Sequence, residues 1–227
     1  MEANGVGFFG KLPTLGDFVS RRLPRHFVEP WDNWLQASIK LSQDIHGENW
    51  LSLFLVSPIW RFSLSPGLCG NQAWAGIFMP SVDRVGRYYP LTLAQEIPAE
   101  QVSDVFCCGS KWFVELENAA LSALSEQFDI DSFNQRLLNI HFPPAYTTEG
   151  RGIEDNEKTV NLISKPAYRF DLNQLADAEQ AFPHLTRLLL NRFLPTYSFG
   201  LPKALKKTKP VFSVVRVCHL LMLMRIF

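Results

Sequence analysis

Met79-Pro80-Ser81-Val82-Asp83-Arg84-Val85-Gly86-Arg87-Tyr88-Tyr89-Pro90-Leu91 is a polar stretch between two apolar segments. It contains one aspartate, two arginines, one glycine, two tyrosines and two prolines, a density of charge and special backbone residues that neither a plain strand nor a plain helix requires. The apolar segments on either side, 73–79 and 88–95, are predicted as strands. The stretch is therefore predicted to connect two strands of a sheet.

The residues before this stretch predict a helix between short strands. After Pro30, which suits the first turn of a helix, Trp31, Trp34 and Leu35 recur at helical spacing. The predicted elements are a strand at 6–12, a loop at 13–25, a helix from Pro30 to near Gly47, and strands at 51–56 and 59–64 that form a hairpin around Ser57-Pro58.

Beyond the stretch, helices come first and strands return late. The predicted elements are a helix at 100–127 with a break at Gly109, a helix capped by Asp131 and ending near Ile140, an exposed loop at 147–158, strands at 159–164 and 167–170, a helix beginning at Pro183, and a last strand at 197–199. This order favours a sheet covered by helices on both faces. We predict an α/β fold, a single-domain three-layer α-β-α sandwich with a mixed, largely antiparallel sheet.

Composition sets limits on the class of protein. Hydrophobic residues make up 47% of the 227 residues, which excludes wholesale disorder and allows a sizeable core. The formal net charge is zero, so charge offers no argument for binding nucleic acid or a membrane surface. The four cysteines show no metal-binding spacing, and a reducing, cytoplasmic setting is the simplest interpretation.

Two segments bear on targeting or membrane insertion. Residues 1–10 have neither the basic start nor the apolar core of a secretory signal. Residues 211–227 are apolar, but they are short for a membrane span and are interrupted by Arg216, His219 and Arg225. A tail-tethered membrane adaptor is retained only as an alternative.

No catalytic constellation stands out in the sequence. Cys69 has no histidine in a shared motif, and the glycines at Gly7 and Gly10 do not form a phosphate-binding loop. No cluster of metal-ligating residues is seen. We therefore predict no enzymatic activity, no cofactor and no metal.

Charged residues beside apolar segments are the candidates for binding a partner. Arginine suits this role because its planar fork pairs with a carboxylate or a phosphate through two hydrogen bonds. The alternative is structural: an Asp83–arginine pair within the loop, and buried ion pairs elsewhere, that only stabilise the fold. The candidate partner-binding residues are Lys11, Asp17, Arg61, Asp83, Arg84 and Arg87.

Three ordered motifs carry a resemblance to a known family. They are Gly7-Phe8-Phe9-Gly10-Lys11-Leu12-Pro13 with Gly16-Asp17-Phe18-Val19; Ser57-Pro58-Ile59-Trp60-Arg61-Phe62 with Gly67-Leu68-Cys69-Gly70 and Trp74-Ala75-Gly76; and the stretch 79–91. In this order they resemble the TagF family, also called ImpM, accessory proteins of bacterial type VI secretion. The resemblance extends to about Phe199.

The resemblance implies a cytoplasmic, non-enzymatic regulator with a compact α/β fold. TagF-like proteins repress the secretion apparatus after translation, and they are tied to a threonine-phosphorylation circuit and to a forkhead-associated scaffold protein. The expected partners are therefore type VI secretion components, including such a scaffold. A small-molecule or nucleotide-sensing α/β domain is the alternative, and it would require a formed pocket.

The C-terminal residues depart from the family pattern, so we predict a TagF-like domain at 1–199 and an atypical tail at 200–227. Family members continue from this point with a tryptophan-containing strand and finish with a Gly-Leu-Pro segment and a terminal helix. Here Gly200-Leu201-Pro202-Lys203 follows Phe199 directly, at the place where the tryptophan-containing strand is expected. Loss of one nucleotide after the Phe199 codon would explain this, because shifting the frame back makes the codons compatible with both family segments. The hypothesis is that the tail is frameshifted and non-native.

Overall fold

The computed structural model describes residues 5–125, 127–143, 158–162, 165–169, 190, 194, 196–202 and 213–216. The chain divides into two compact units, Met1–Pro143 with Thr196–Phe227 and Pro144–Pro195. The first unit contains a seven-stranded sheet, and the second contains a two-stranded hairpin.

The described ranges contain short strands and helices of very different lengths. The strands are β1 Gly7–Gly10, β2 Val19–Arg21, β3 Trp60–Leu64, β4 Ala73–Met79, β5 Leu91–Ile97, β6 Lys158–Leu162, β7 Lys165–Arg169, β8 Tyr197–Pro202 and β9 Ser213–Arg216. The α-helices are α1 Arg25–His46, α2 Trp50–Leu55, α3 Val105–Cys108, α4 Ser110–Ser122 and α5 Ile130–Leu138.

The large sheet has the order β2-β1-β5-β4-β3-β8-β9, and each of these neighbouring pairs is antiparallel. The central pair, β4 and β5, is in register from Ala73↔Ile97 to Met79↔Leu91. The polar stretch is thus the connection between the two central strands, as predicted. Strand β1 lies beside β5, so the chain segment after β1 is brought to the same end of the sheet as this connection.

One face of the sheet is covered by α1. Trp31 is 2% exposed, and its ring lies 4.4 Å from that of Phe62 on β3 and 5.9 Å from that of Phe78 on β4. Its indole Nε1 donates a hydrogen bond to Thr92 Oγ1 at 2.9 Å, which satisfies the one polar atom of a ring that is otherwise surrounded by apolar groups. This aromatic layer joins the long helix to three central strands.

The other face is covered by α4 and α5. Successive residues of a strand point to opposite faces, so Arg61 lies on the face opposite Phe62. Arg61 meets α4, whereas Phe8 of β1 has its ring 5.2 Å from Phe133 of α5. The prediction of an α/β sandwich with helices on both faces of the sheet is confirmed, but the sheet was predicted to be mixed, whereas each of its described strand pairs is antiparallel.

The prediction of a hairpin around Ser57-Pro58 is wrong. Residues 50–55 form helix α2, in which Phe54 is fully buried and stacks near Trp50, with ring centroids 5.0 Å apart. A short apolar segment has no clear period, so sequence alone cannot separate a strand from a helical turn there. The strand predicted at 59–64 is confirmed as β3.

Two helix starts and one loop also differ from the predictions. Helix α1 begins at Arg25, so Pro30 lies inside it, and the carbonyl of Pro24 accepts the first helical hydrogen bonds. Helix α5 is capped by Asp129, whose carboxylate accepts a hydrogen bond from Ser132 N at 2.7 Å. The loop predicted at 13–25 contains strand β2. The break in the helical region at Gly109 is confirmed.

The late part of the chain is described only in pieces. The strand pair predicted at 159–164 and 167–170 is confirmed as β6 and β7. The loop predicted at 147–158 lies outside the described residues except for Lys158, which begins β6, and the helix predicted from Pro183 lies almost wholly outside them. Strand β8 continues past Phe199 to Pro202 and pairs with β3, and β9 pairs with β8. The division at 199/200 and its frameshift origin stay predictions. Within the described ranges, no helix is long and apolar enough to cross a membrane.

We expect Gly10→Ala to destabilise the fold far more than Gly86→Ala. Gly10 has φ +135°, and a Cβ there would lie 2.1 Å from the Pro90 carbonyl oxygen, whereas Gly86 has φ +84° and open space around it. Gly86→Ala should lower the free energy of unfolding by about 1–2 kcal/mol because of the positive φ alone. Gly10→Ala should lower it by about 3 kcal/mol or more because of the added collision with the backbone. Urea unfolding measures both, and equal losses would contradict the close approach.

Candidate functional site

The centre of the candidate site is the carboxylate of Asp83, whose side chain is fully buried. Its Oδ2 accepts hydrogen bonds from Lys11 Nζ at 2.8 Å and from Arg87 Nε at 2.7 Å. Its Oδ1 accepts from the backbone amides of Val85 at 3.0 Å and Arg87 at 2.9 Å. Four donors therefore satisfy both oxygens, as a buried charge requires.

The same contacts shape the loop around Asp83. The amide of Asp83 donates to the Arg87 carbonyl at 3.0 Å, and the amide of Gly86 donates to the Asp83 carbonyl at 3.0 Å. Gly86 has the positive φ that such a tight reversal needs, and glycine adopts it without strain. The loop from Asp83 to Arg87 is thus held closed by hydrogen bonds within its backbone and by hydrogen bonds to the Asp83 carboxylate.

The environment favours the ionised form of Asp83. Burial acts to raise the pKa of this carboxyl, but hydrogen bonds from Lys11 and Arg87, together with the charge of Lys11, outweigh burial and hold the pKa well below its usual range. The carboxylate remains charged at neutral pH, so the network keeps its ion pairs.

A second loop is attached to the first. Ser81 Oγ donates to the Lys11 carbonyl at 2.8 Å, Arg84 N donates to the Leu15 carbonyl at 2.9 Å, and Arg87 Nη2 donates to the Gly16 carbonyl at 2.5 Å. The exposed residues of 15–18 and 84–87 therefore form one surface, here called the two-loop surface.

Phe18 covers the buried ion pair. Its ring stacks on Phe9 with centroids 5.8 Å apart and meets Tyr89 edge-on at 4.8 Å, and Lys11 Nζ lies 5.0 Å from the ring centroid. Phe18 nevertheless remains 47% exposed, and Val85 on the other loop is 65% exposed. Val85 lies within the polar stretch that the sequence singles out, whereas Phe18 is not among the predicted site residues. The signal for Phe18 was an apolar residue next to Asp17 in a predicted loop.

The site is also connected to helix α1. Tyr89 is buried, and its hydroxyl donates a hydrogen bond to Asp32 Oδ1. Burial, and then the adjacent Asp32 carboxylate, raise the pKa of Tyr89 far above its ordinary value. The tyrosine therefore stays protonated and acts as a fixed donor between the loop and the helix.

Arg61 belongs to a different part of the structure. Its Nε donates to Glu117 Oε1 on α4 at 2.6 Å, and its guanidinium lies 5.1 Å from the Phe113 ring centroid. The Glu117 side chain is only 2% exposed. Arg61 thus pairs across the sheet–helix layer, and the structure does not bring it together with Lys11 and Asp83.

The six predicted residues therefore fall into three groups. Lys11, Asp83 and Arg87 form one ion-pair network, which contains the Asp83–arginine pair of the structural alternative, although Arg87 itself is exposed. Arg61 pairs with Glu117 away from that network. Asp17 and Arg84 are exposed on the two-loop surface. Within the described residues, no group of three His, Cys, Asp or Glu side chains could hold a metal ion.

Comparisons with known proteins place this geometry in context. Residues 7–140 match the family model described as TagF N-terminal domain, type VI secretion system-associated. The crystal structure of PA0076 from Pseudomonas aeruginosa PAO1 is similar, with a TM-score of 0.77 and 34% sequence identity over 97% of this chain and 93% of that chain. Among proteins with curated functional descriptions, none matches this sequence.

We expect the stabilising contribution of the Asp83 network to be lost at low pH. A carboxyl whose folded pKa is lowered contributes stability that is present above the unfolded pKa of about 3.9 and is lost as the pH falls toward the folded value. The difference in free energy of unfolding between the wild type and Asp83→Asn should be constant from about pH 6 to about pH 5 and should shrink below about pH 4. Urea unfolding at each pH measures it, and a difference that persists unchanged below that pH would contradict the assignment.

A separate prediction concerns the Arg61–Glu117 pair. Arg61→Met leaves the buried Glu117 carboxylate without the Arg61 charge and should cost about 3–5 kcal/mol. The double variant Arg61→Met/Glu117→Leu should recover much of that loss, because no buried charge is then left without its partner. Urea unfolding compares the two, and a double variant that is no more stable than the single one would contradict a buried ion pair.

Proposed function

The chain belongs to the TagF family of type VI secretion-associated proteins, and from this membership we propose that it is an accessory regulator that represses the secretion apparatus after translation. The observation that carries the proposal is the family match over residues 7–140, supported by the similarity to PA0076 over nearly the whole chain. The proposed mode of action is protein–protein contact in the cytoplasm. The proposed partner is a component of the apparatus, with a forkhead-associated scaffold protein as the first candidate.

Two described side chains with catalytic potential are held in states that do not suit catalysis. Cys69 is fully buried, and burial raises the pKa of its thiol from 9.0 to about 12. At neutral pH this thiol is protonated, which is not the state of a cysteine nucleophile. The buried carboxylate of Asp83 is fully occupied by structural donors, so it is not available as a general base.

The two-loop surface supports the proposed contact because it is held in one shape. Its two loops are joined by hydrogen bonds from Ser81, Arg84 and Arg87. A surface that is already ordered loses less conformational entropy when a partner binds. Exposed arginine and aromatic side chains are also the residue types that contribute most to protein interfaces.

We expect removal of this chain to increase secretion in a bacterium with a functional type VI apparatus. Reintroduction of the chain should restore low secretion, while the abundance of the apparatus proteins, measured by immunoblot, stays constant. The purified chain should also retain the forkhead-associated scaffold in a pull-down. Secretion that is indifferent to the chain, or that changes only because apparatus proteins change in abundance, would refute post-translational repression.

A further inference from the structure

The charges of the two-loop surface are not equally available. Lys11 is buried on Asp83, and Arg87 uses its Nε on Asp83 and its Nη2 on the Gly16 carbonyl. Among the described residues, the guanidinium of Arg84 has no ion pair, although Arg84 is exposed and follows Asp83 directly. The two-loop surface therefore presents the guanidinium of Arg84, which takes no part in the ion pairs of Asp83.

The position of Arg84 is set by its backbone and by the opposite loop. Its amide donates to the Leu15 carbonyl at 2.9 Å. Its guanidinium lies over Gly16, with Nη2 3.5 Å from the point where a Cβ would stand. The Arg84 guanidinium is therefore in contact with the Gly16 segment, at the junction of the two loops.

Two apolar side chains belong to the same surface. Phe18 and Val85 are 47% and 65% exposed. Val85 follows Arg84 directly, and Phe18 lies two residues after Gly16, whose carbonyl accepts a hydrogen bond from Arg87. Phe18 is backed by Phe9 and Tyr89, so its exposed side is held in place. A fixed aromatic ring and an exposed arginine on the same surface are the residue types enriched among energetically important interface residues.

We propose that the two-loop surface binds a short acidic segment of a partner protein, in which an Asp or Glu pairs with Arg84 and a neighbouring apolar side chain packs on Phe18 and Val85. This inference rests on the proposed function, since it identifies the chemistry of the partner. Arg84 offers a bidentate site for one carboxylate. A doubly charged phosphate fits less well, because the other two cations are already paired with Asp83 and Asp17 adds an exposed negative charge nearby.

The first test locates the contact in cells with an active secretion apparatus. A photoreactive amino acid replaces Val85 in the full chain, and the matched control replaces Val114 of α4, which is 44% exposed. We expect cross-links from position 85 and not from 114, and mass spectrometry should identify a peptide with an acidic residue beside an apolar one. A cross-linked segment that lacks acidic residues, or whose negative charge is phosphate, would overturn the proposed chemistry.

The second test measures binding of the cross-linked partner in purified form. Arg84→Glu should weaken binding about 10-fold or more, and replacing the partner's acidic residue with arginine should restore binding to that variant. Val85→Glu should weaken binding independently, because its negative charge repels the acidic segment. The backbone amide of residue 85 is unchanged and can still donate to Asp83. Arg25→Glu, at a side chain that is 94% exposed on α1, is the control that should bind as the wild type does.

The outcomes separate this inference from the proposed function. If the chain represses secretion but Arg84→Glu and Val85→Glu, both folded by circular dichroism, bind like the wild type, the inference is wrong and the proposed function stands. If the charge exchange restores binding but the chain does not affect secretion, the acidic-segment site stands and the regulatory role fails.

Discussion

The buried carboxylate of Asp83 is the constraint on which the candidate site depends. A buried charge must be satisfied by donors, and here the donors are the Lys11 ammonium, the Arg87 side chain and two backbone amides. The two amides fold the loop back on itself, and Lys11 ties that loop to the segment that follows β1. The backbone of both loops is therefore held by hydrogen bonds to buried or partly buried groups, which explains how an exposed surface can have a fixed shape.

The sheet makes this arrangement possible because it brings distant segments together. Strand β1 pairs with β5, so Lys11 and Asp83 meet although 72 residues separate them. The aromatic layer between α1 and the sheet supports the site from one side, since Tyr89 reaches Asp32 on that helix. On the opposite face, the partly buried Arg61 and the buried Glu117 form a second ion pair that stabilises the packing of α4. Two similar charge pairs thus serve different parts of the fold.

Sequence patterns predicted the strands well where several apolar residues occur in a row and are bounded by turn residues, as in β3, β4 and β5. They failed at 50–55, where burial of Phe54 in a helical turn satisfies the same apolar residues that a strand would bury. They also failed at the starts of α1 and α5, because the residue that caps a helix depends on where the preceding chain enters. For the site, the sequence left open which of the charged residues are buried in ion pairs and which are exposed, because burial depends on neighbours that are remote in sequence.

The amino-acid sequence by itself determined that the polar stretch 79–91 connects two strands, that helices cover the sheet, and that the chain resembles the TagF family, since these properties are carried by local periodicity and ordered motifs. Only the tertiary structure decided that Lys11 and Asp83 are buried partners, that Arg61 pairs with Glu117 instead, and that Arg84 is left without an ion pair among the described residues. The physical reason is that strand order is not encoded locally. Which charges meet depends on which strands become neighbours, and a charge that finds a buried partner is no longer available to another protein.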